Sequence, residues 1–290
     1  MTLKKRQIDV EFLLNEGNFD NTEFNTVRVK GLRVQVNIMN TDGPAMGNAQ
    51  LRIFGLPPSL LNQLSGLNQA AQAVRNNKIL VYAGDEVSGM PIVFQGTISL
   101  AQIDMANAPD SSLTVCAFAG YFEKMKTAPA TSYPGSAHAA VIMADFAVRM
   151  GFGFEANDVS VMLSTPYFSG SLLDQAESCA RAANLGWTIE NNTLAIWDKG
   201  RGRGGAIPLI SPETGLVGYP AYSSGQFQGL SVTTIFNPLL RVGKPVKIES
   251  SLKVANGTWT VFNIAHALES ETPGGKWFSQ FNASPFGGHQ

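Results

Sequence analysis

The sequence has few charged residues for its length. Only 15% of the 290 residues are Asp, Glu, Lys or Arg, against about 25% in an average soluble domain. With 21 basic and 22 acidic residues the net charge is −1, so no global basic field exists to hold nucleic acid or an anionic membrane. Low charge and a high glycine content, 29 residues, favour many turns and a surface partly committed to other protein.

Long apolar runs are absent as well. The most apolar helical stretch, 139–150, contains Asp145 and Arg149 and is too short to span a bilayer. The basic residues at 4–6 precede no apolar signal-peptide core. We therefore expect no membrane insertion and a chain that starts in a cytoplasm.

Residue types that bind metals or act as nucleophiles are scarce. The two cysteines are too few for a disulfide framework or a thiolate metal site, and the three histidines occur in no zinc motif and with no G-x-S-x-G nucleophile. Two pairs of carboxylates are the nearest candidates for sugar-hydrolysing acids, and we interpret both pairs as solvated loop charges. We therefore expect no catalytic residue, no cofactor and no metal. The residues concerned are Cys116, Cys179, His138, His266 and His289, and the pairs Glu155 with Asp158 and Glu269 with Glu271.

Segment 200–205 contains the letters of the dinucleotide fingerprint G-x-G-x-x-G. That fingerprint requires a helix whose N-terminus lies under the pyrophosphate, and Pro208 and Pro212 prevent one here. We interpret 199–206 as a flexible connector, whose two arginines could contact a phosphate or an acidic partner.

Alternation of apolar and polar residues predicts strands through the first third of the chain. One long strand is predicted over 26–39, where the phase of the alternation flips at Gly31 as it does at a β-bulge. The other predicted strands are 8–14, 50–54, 78–83, 91–100 and 112–119.

A helix over about 57–77 interrupts these strands. It begins at two prolines, and its apolar stripe includes Leu60, Leu64 and Leu67 at helical spacing. We interpret it as a cap on one end of a barrel, with a partner-binding helix as the alternative.

The middle of the chain predicts a small α+β module. Segment 127–135 has the composition of a linker. Ser136 is a candidate cap for a helix ended by Gly151, and Ser171 with Asp174 is a candidate capping box for a second helix ended by Gly186. A β-hairpin follows, with strands 187–190 and 193–197.

Strand patterns return in the last third, over 229–236, 245–254, 258–268 and 276–282. The order β-rich, α+β, β-rich predicts a mainly β fold of the α+β class, with two antiparallel tube-like β-barrels and the module between them. The predicted domains are 1–126 for the first barrel with its capping helix, 127–200 for the module, and 201–290 for the second barrel and tail.

Three ordered sets of segments carry a family resemblance. They are 49–56; then 79–84, 91–98 and 109–115; then 215–220, 229–238, 243–248, 264–266 and 275–277. In this order they resemble the baseplate hub proteins of contractile-tailed phages, a group that includes the late-control D proteins and the hub half of the type VI secretion spike.

This resemblance implies a non-enzymatic structural protein of the virion tail baseplate, assembled in the host cytoplasm. It implies a homotrimer whose six barrels form a pseudo-sixfold ring. The ring joins the hexameric tail tube, or a tube-initiator protein, to the trimeric central spike, and it nucleates tube assembly. Baseplate wedge and tape-measure proteins are further implied partners, and DNA passes through the lumen during ejection.

Under this resemblance several residues are candidates for protein interfaces. One set lies at barrel rims and another could face neighbouring chains from the helix and the hairpin, while His266 is interpreted as structural. The rim candidates are Phe236, Asn237, Pro238 and Gly243; the helix and hairpin candidates are Leu60, Leu64, Leu67, Trp187 and Trp197.

Three other functions remain open at this point. A tail-associated cell-wall hydrolase could be built on module 136–197, which would require active-site acids or a metal there. A tail-tube or tube-initiator protein would need only one barrel, so the second β-rich third argues against it. A generic soluble β-rich binding domain is the third alternative.

Overall fold

The computed structural model describes residues 5–20, 22–66, 75–87, 89–106, 110–223 and 229–285. The chain is mostly β, with antiparallel pairing in its large strand sets, as predicted. It divides into two compact units. The first comprises Met1–Ile38, Asn48–Phe122 and His266–Trp277, and the second comprises Met39–Gly47, Glu123–Ala265 and Phe278–Gln290. The three-part domain division expected from sequence stays a prediction.

The first unit is built from strands whose buried and exposed residues alternate, because side chains point to opposite faces along a strand. The strands are β1 Arg6–Leu13, β2 Thr26–Val29, β3 Val34–Thr41, β4 Asn48–Phe54, β5 Lys78–Asp85, β6 Ile92–Asp104 and β7 Ser112–Phe118. Their order is β3-β4-β7-β6-β5-β1-β2. Strand β3 belongs to this unit as far as Ile38. The unit also contains helix α1 Pro58–Leu64, the start of helix α2 Tyr121–Met125, and residues 266–277.

The single long strand predicted over 26–39 is wrong. Strand β2 pairs with β1, whereas β3 lies beside β4, so the two halves of the run have different neighbours. Gly31, at φ +66°, lies in the turn that separates them. The phase flip at Gly31 therefore marks a change of strand, and a turn that allows positive φ produces the same sequence pattern as a bulge.

Helix α1 begins as the two prolines predict, with Pro57 at the N-cap and Pro58 in the first turn. Leu60, Leu61 and Leu64 are buried, which agrees with the predicted apolar stripe. One continuous helix over 57–77 is wrong, because α1 ends at Leu64 and Ser65 has an extended backbone, at ψ 156°. Leu67 lies outside the described residues.

The α+β module of the second unit follows the predicted order of two helices and a hairpin. Its helices are α3 Ala139–Met150 and α4 Leu172–Ala182. Its strands are β8 Thr131–Ser132, β9 Ser136–His138, β10 Gly153–Asn157, β11 Met162–Ser164, β12 Tyr167–Phe168, β13 Leu185–Glu190 and β14 Thr193–Asp198. Strand β14 lies between antiparallel β13 and parallel β10. Asn191 and Asn192 turn the hairpin at φ 49° and 60°, the left-handed pair of a type I′ turn.

The helix caps of the module are partly as predicted. Ser171 and Asp174 form a reciprocal capping box on α4, and Gly151 ends α3 in the left-handed conformation. The predicted Ser136 cap is wrong, because Ser136 is in β9, paired with Ser164, and the N-cap is His138. Gly186 does not end α4 either, since it lies within β13.

The remaining strands of the second unit are β15 Leu209–Ile210, β16 Leu216–Ser223, β17 Gly229–Ile235, β18 Pro245–Ile248, the first part of β19 Gly257–Ser270, and β20 Trp277–Pro285 from Phe278 onward. Their order is β16-β17-β20-β19, with β18 between β19 and β15. One apolar core joins them to the hairpin, since Trp197 packs in the same buried cluster as Val232, Val246 and Phe281. Among the described helices, none has the length and apolar character to cross a bilayer.

Candidate functional site

Within the part of the chain that the structure describes, no group of three His, Cys, Asp or Glu side chains could hold a metal ion. The second unit contains a polar centre built around Arg203. Three of the sequence candidates, Glu155, Gly243 and Trp197, lie in it or against it.

Arg203 is the middle of this centre. Its side chain is 2% exposed and its guanidinium donates to both oxygens of Glu155, Nε to Oε1 at 3.0 Å and Nη2 to Oε2 at 2.8 Å. Nη1 donates to Glu190 Oε2 at 2.8 Å and to the Val242 carbonyl at 2.8 Å. Such bidentate, charge-assisted bonds use the planar fork of arginine. The centre therefore ties β10 and β13 of the module to the turn that precedes β18.

Two sequence interpretations fail at this centre. The flexible connector predicted over 199–206 is wrong at Gly202 and Arg203, because both are buried and the Arg203 N–H donates to the Gly243 carbonyl at 2.7 Å. Glu155 is not a solvated loop charge, because it lies on β10 and pairs with Arg203.

Gly243, one of the predicted rim residues, packs directly against this centre. It adopts φ +79°, and a Cβ placed on it would lie 2.7 Å from two ring carbons of Trp197 and 2.9 Å from Cδ of Arg203. Its N–H donates to the Val261 carbonyl at 2.7 Å. Only glycine meets both requirements, a left-handed backbone and the close approach of an indole ring.

Both tryptophan candidates are buried in the chain itself. Trp197 is 2% exposed and Trp187 is 6% exposed. The Trp187 N–H donates to Asp42 Oδ1 at 3.2 Å, and its carbonyl accepts from the Gly43 N–H at 3.0 Å. Packing inside the chain is enough to explain why large aromatic side chains occur at these two positions. Their contact with a neighbouring chain stays a prediction.

The other candidates divide into buried and half-buried positions. Leu60 and Leu64 are buried, while Phe236, Asn237 and Pro238 are half-buried in the turn after β17. In that turn the Asn237 N–H donates to Ser279 Oγ at 3.2 Å, and the Leu239 N–H donates to Asn237 Oδ1 at 3.0 Å. The turn presents Leu239, 63% exposed, which sequence reasoning missed.

The outward face of β16, β17 and β20 carries no charged side chain at its described positions. Ile235 lies opposite Phe278 on this face, and both are exposed. Tyr219 and Tyr222 are exposed on β16, the terminal strand in the order of this sheet. This uncharged face could have been found in the sequence, because the outward positions of these strands contain no Asp, Glu, Lys or Arg. These positions are Val217, Ala221, Ser231, Thr233, Ile235, Phe278, Gln280 and Asn282.

His266 lies on β19 and is 5% exposed. Burial lowers the pKa of this imidazole to about 4, so it is neutral at physiological pH. A neutral histidine inside a strand fits the structural role interpreted from the sequence.

The Glu155–Arg203 pair makes stability depend on pH. The hydrogen bonds from Arg203 lower the pKa of Glu155 to about 2, from an ordinary value of 4.5. Because the folded pKa is depressed, this stabilisation is present above pH 4.5 and is lost as the pH falls towards 2. We expect Glu155→Gln to unfold at lower urea than wild type at neutral pH, and the difference to shrink as the pH falls through that window.

The control for this experiment is Glu249→Gln. Glu249 pairs with Lys247 at 2.7 Å, and both side chains are about half exposed, so its removal should change the urea midpoint little at any pH. A Glu155→Gln difference that stays constant down to pH 2 would contradict the assigned pairing.

Solved structures with this fold come from phage tails and a secretion apparatus. A tail protein of Neisseria meningitidis MC58 superposes with a TM-score of 0.64 at 10% identity, covering 95% of this chain and 96% of that one. The 43 kDa tail protein of prophage MuSo2 from Shewanella oneidensis gives 0.60 at 10% identity, with coverage of 95% and 96%. A type VI secretion component of E. coli, described as similar to T4 bacteriophage tail proteins, gives 0.56 at 11%, with 88% and 73%. The fold is therefore that of tail proteins.

A comparison of the sequence with models of protein families identifies the family to which the chain belongs. The model of the family "Baseplate hub gp41" matches residues 8–274, so the chain belongs to the baseplate hub gp41 family. No curated protein matches the sequence significantly. The chain is thus a structural component of a virion tail baseplate, as the sequence resemblance predicted.

Proposed function

We propose that three copies of this chain form a ring of pseudo-sixfold symmetry that joins the hexameric tail tube to the trimeric central spike and nucleates tube assembly. The observation that carries the proposal is that a chain of the baseplate hub family divides into two compact units, both rich in antiparallel strands. In this proposal each unit is one barrel of the ring, so three chains supply six positions, the number that a hexameric tube requires.

The outward face of β16, β17 and β20 supports a role in a lumen or an interface. Its described outward positions are hydroxyl, amide, small or apolar side chains. Phosphates bind proteins mainly through Lys and Arg, so a lining of this kind lets DNA pass without holding it. We propose that this face lines the channel through which DNA is ejected.

The partners follow from the position of a hub. On one side lies the tail-tube or tube-initiator protein, on the other the central spike, and around the ring the wedge and tape-measure proteins. In this proposal assembly takes place in the host cytoplasm. Each of these contacts is a protein–protein interface, so the low charge of the chain, 15%, fits this role.

The alternative of a cell-wall hydrolase gains no support from the described residues. A glycosidase of this kind needs two carboxyl groups that flank a sugar bond. Glu155, the module carboxylate singled out from sequence, is engaged on both oxygens by Arg203. We therefore propose a non-enzymatic role.

The mass of the purified chain in solution tests the ring. We expect light scattering to find a species near three times the chain mass of 31.0 kDa, and negative-stain images to show a ring with a central hole. A chain that stays monomeric over the whole concentration range, and also when co-expressed with the spike and tube proteins of its tail, would contradict the proposal.

A further inference from the structure

The loop between β1 and β2 is held by hydrogen bonds and carries one exposed aromatic ring. The Leu14 N–H donates to the Asn25 carbonyl at 2.8 Å, and the Phe19 N–H donates to the Phe24 carbonyl at 3.0 Å. Phe19 is buried at 4% exposure and anchors the loop, whereas Phe24 is 69% exposed. A loop held at its base by hydrogen bonds and an inward ring presents Phe24 at little further cost in entropy.

The same loop is acidic. Glu16, Asp20 and Glu23 are exposed, and none of the three forms an ion pair with another described residue. The loop therefore carries three exposed carboxylates and one exposed aromatic ring. We call residues 15–25 without Asn21, which lies outside the described residues, the acidic loop.

A surface of opposite character lies in the second unit, along β15 and the turn before β18. Ile207 is 52% exposed and Leu209 is 37% exposed. Leu209 is the register partner of exposed Lys247 in the parallel pair of β15 and β18, so both side chains lie on one face. Lys244 Nζ lies 3.3 Å from the position of a Cβ on Gly205, two residues before Ile207.

Arg241 is a further cation close to Lys244. We call Ile207, Leu209, Arg241, Lys244 and Lys247 the basic patch. Burial lowers the pKa of Lys244 most, and Arg203 and Arg241 lower it further, whereas Glu155 and Glu190 raise it. The patch thus carries three cations, of which Lys247 is paired with Glu249 and Lys244 lies near Glu155.

We propose that the acidic loop of one copy docks on the basic patch of the next copy, with Phe24 between Ile207 and Leu209 and the carboxylates beside Lys244 and Lys247. The two surfaces match in charge and in apolar content, and every copy carries both. A contact between two different patches of one chain is heterologous, and such contacts form a ring when the rotation between copies closes. The inference rests on the proposed ring and names the surfaces that build it.

A zero-length carbodiimide crosslinker tests this contact, because it joins a carboxylate to a lysine only when the two groups touch. Equal amounts of unlabelled and ¹⁵N-labelled chain are mixed, crosslinked and digested, so that links between copies are told apart by mass. We expect links from Glu16, Asp20 or Glu23 to Lys244 or Lys247 between copies. Their absence, with links between copies elsewhere or none at all, overturns the inference whether or not the ring forms.

Substitutions give a second and independent measurement. We expect Phe24→Ala to raise the dissociation constant of the assembly at least about tenfold, as loss of an aromatic anchor does, while Tyr167→Ala, at an equally exposed ring, leaves it unchanged. Glu23→Lys and Lys244→Glu should each weaken assembly, and the double variant should recover it. Arg181→Glu, a charge reversal on an exposed helix position, is the control.

The outcomes separate this inference from the proposed function. A wild-type trimer that is unaffected by all of these variants overturns the contact and leaves the ring standing. Assembly that depends on Lys244 but not on Glu23 or Phe24 also overturns it, since another acidic partner then occupies the basic patch. Recovery in the double charge-reversed variant supports it.

Discussion

Arg203→Ala should lower the free energy of unfolding by about 3–5 kcal/mol, the usual effect of removing one partner of a buried ion pair. The substitution leaves Glu190, whose side chain is 6% exposed, without its cation. It also removes the donor to the Val242 carbonyl and the group that holds Glu155. Urea unfolding followed by tryptophan fluorescence measures the change, since Trp197 lies 5.8 Å from the guanidinium.

Arg201→Ala is the matched control for this experiment. Arg201 is two residues away in the same glycine-rich segment and is exposed, so its removal should change stability by no more than about 0.5 kcal/mol. Arg203→Lys should fall between the two, because an ammonium group cannot form the bidentate pair. A loss below about 1 kcal/mol in Arg203→Ala would mean that the centre contributes little to the fold.

Gly243→Ala should lower the free energy of unfolding by about 2–5 kcal/mol. The left-handed backbone of a non-glycine residue costs about 1–2 kcal/mol, and overpacking of a close contact adds about 1–3 kcal/mol. The new methyl group would lie 2.7 Å from the Trp197 ring, and that ring is fixed in the core of the second unit. Thermal unfolding and urea titration both measure the effect.

Gly274→Ala separates the two contributions. Gly274 has φ +68°, close to the +79° of Gly243, but no atom lies within 4 Å of its added Cβ. It should therefore show the backbone cost alone, about 1–2 kcal/mol. Equal losses of unfolding free energy in the two variants would mean that the Trp197 ring shifts to make room for the methyl group. Gly243 would then be required only for its backbone angle.

Features that depend on neighbouring residues could be predicted from the sequence. The hairpin at Asn191-Asn192 formed because asparagine tolerates the left-handed angles of the turn. The capping box of Ser171 and Asp174 spans only three residues. The predicted strands 229–236, 258–268 and 276–282 match β17, β19 and β20 for the same reason, since a period of two is a property of the local chain. The strand predicted over 245–254 is wrong beyond Ile248, where β18 ends, and β16 was not predicted.

The failures share a different cause. Glycine at position 31 has the same sequence signal in a bulge as in a turn, and only the choice of strand partners decides between them. Ser136 has a side chain suited to a helix cap, but its segment forms strand β9, which pairs with β11. The helix therefore begins later in the chain. In both places a long-range hydrogen-bond pattern overrode a local preference.

The mainly β class and the α+β module in the middle follow from local sequence patterns, and the order of the segments indicates the baseplate hub family. Which charges are buried is visible only in the folded chain. Arg203 meets Glu190 across 13 residues and Glu155 across 48, and its own Gly-Arg-Gly surroundings have the composition of a flexible linker. Burial and ion pairing arise from which distant segments pack together, and this is a property of the folded chain that no local pattern encodes.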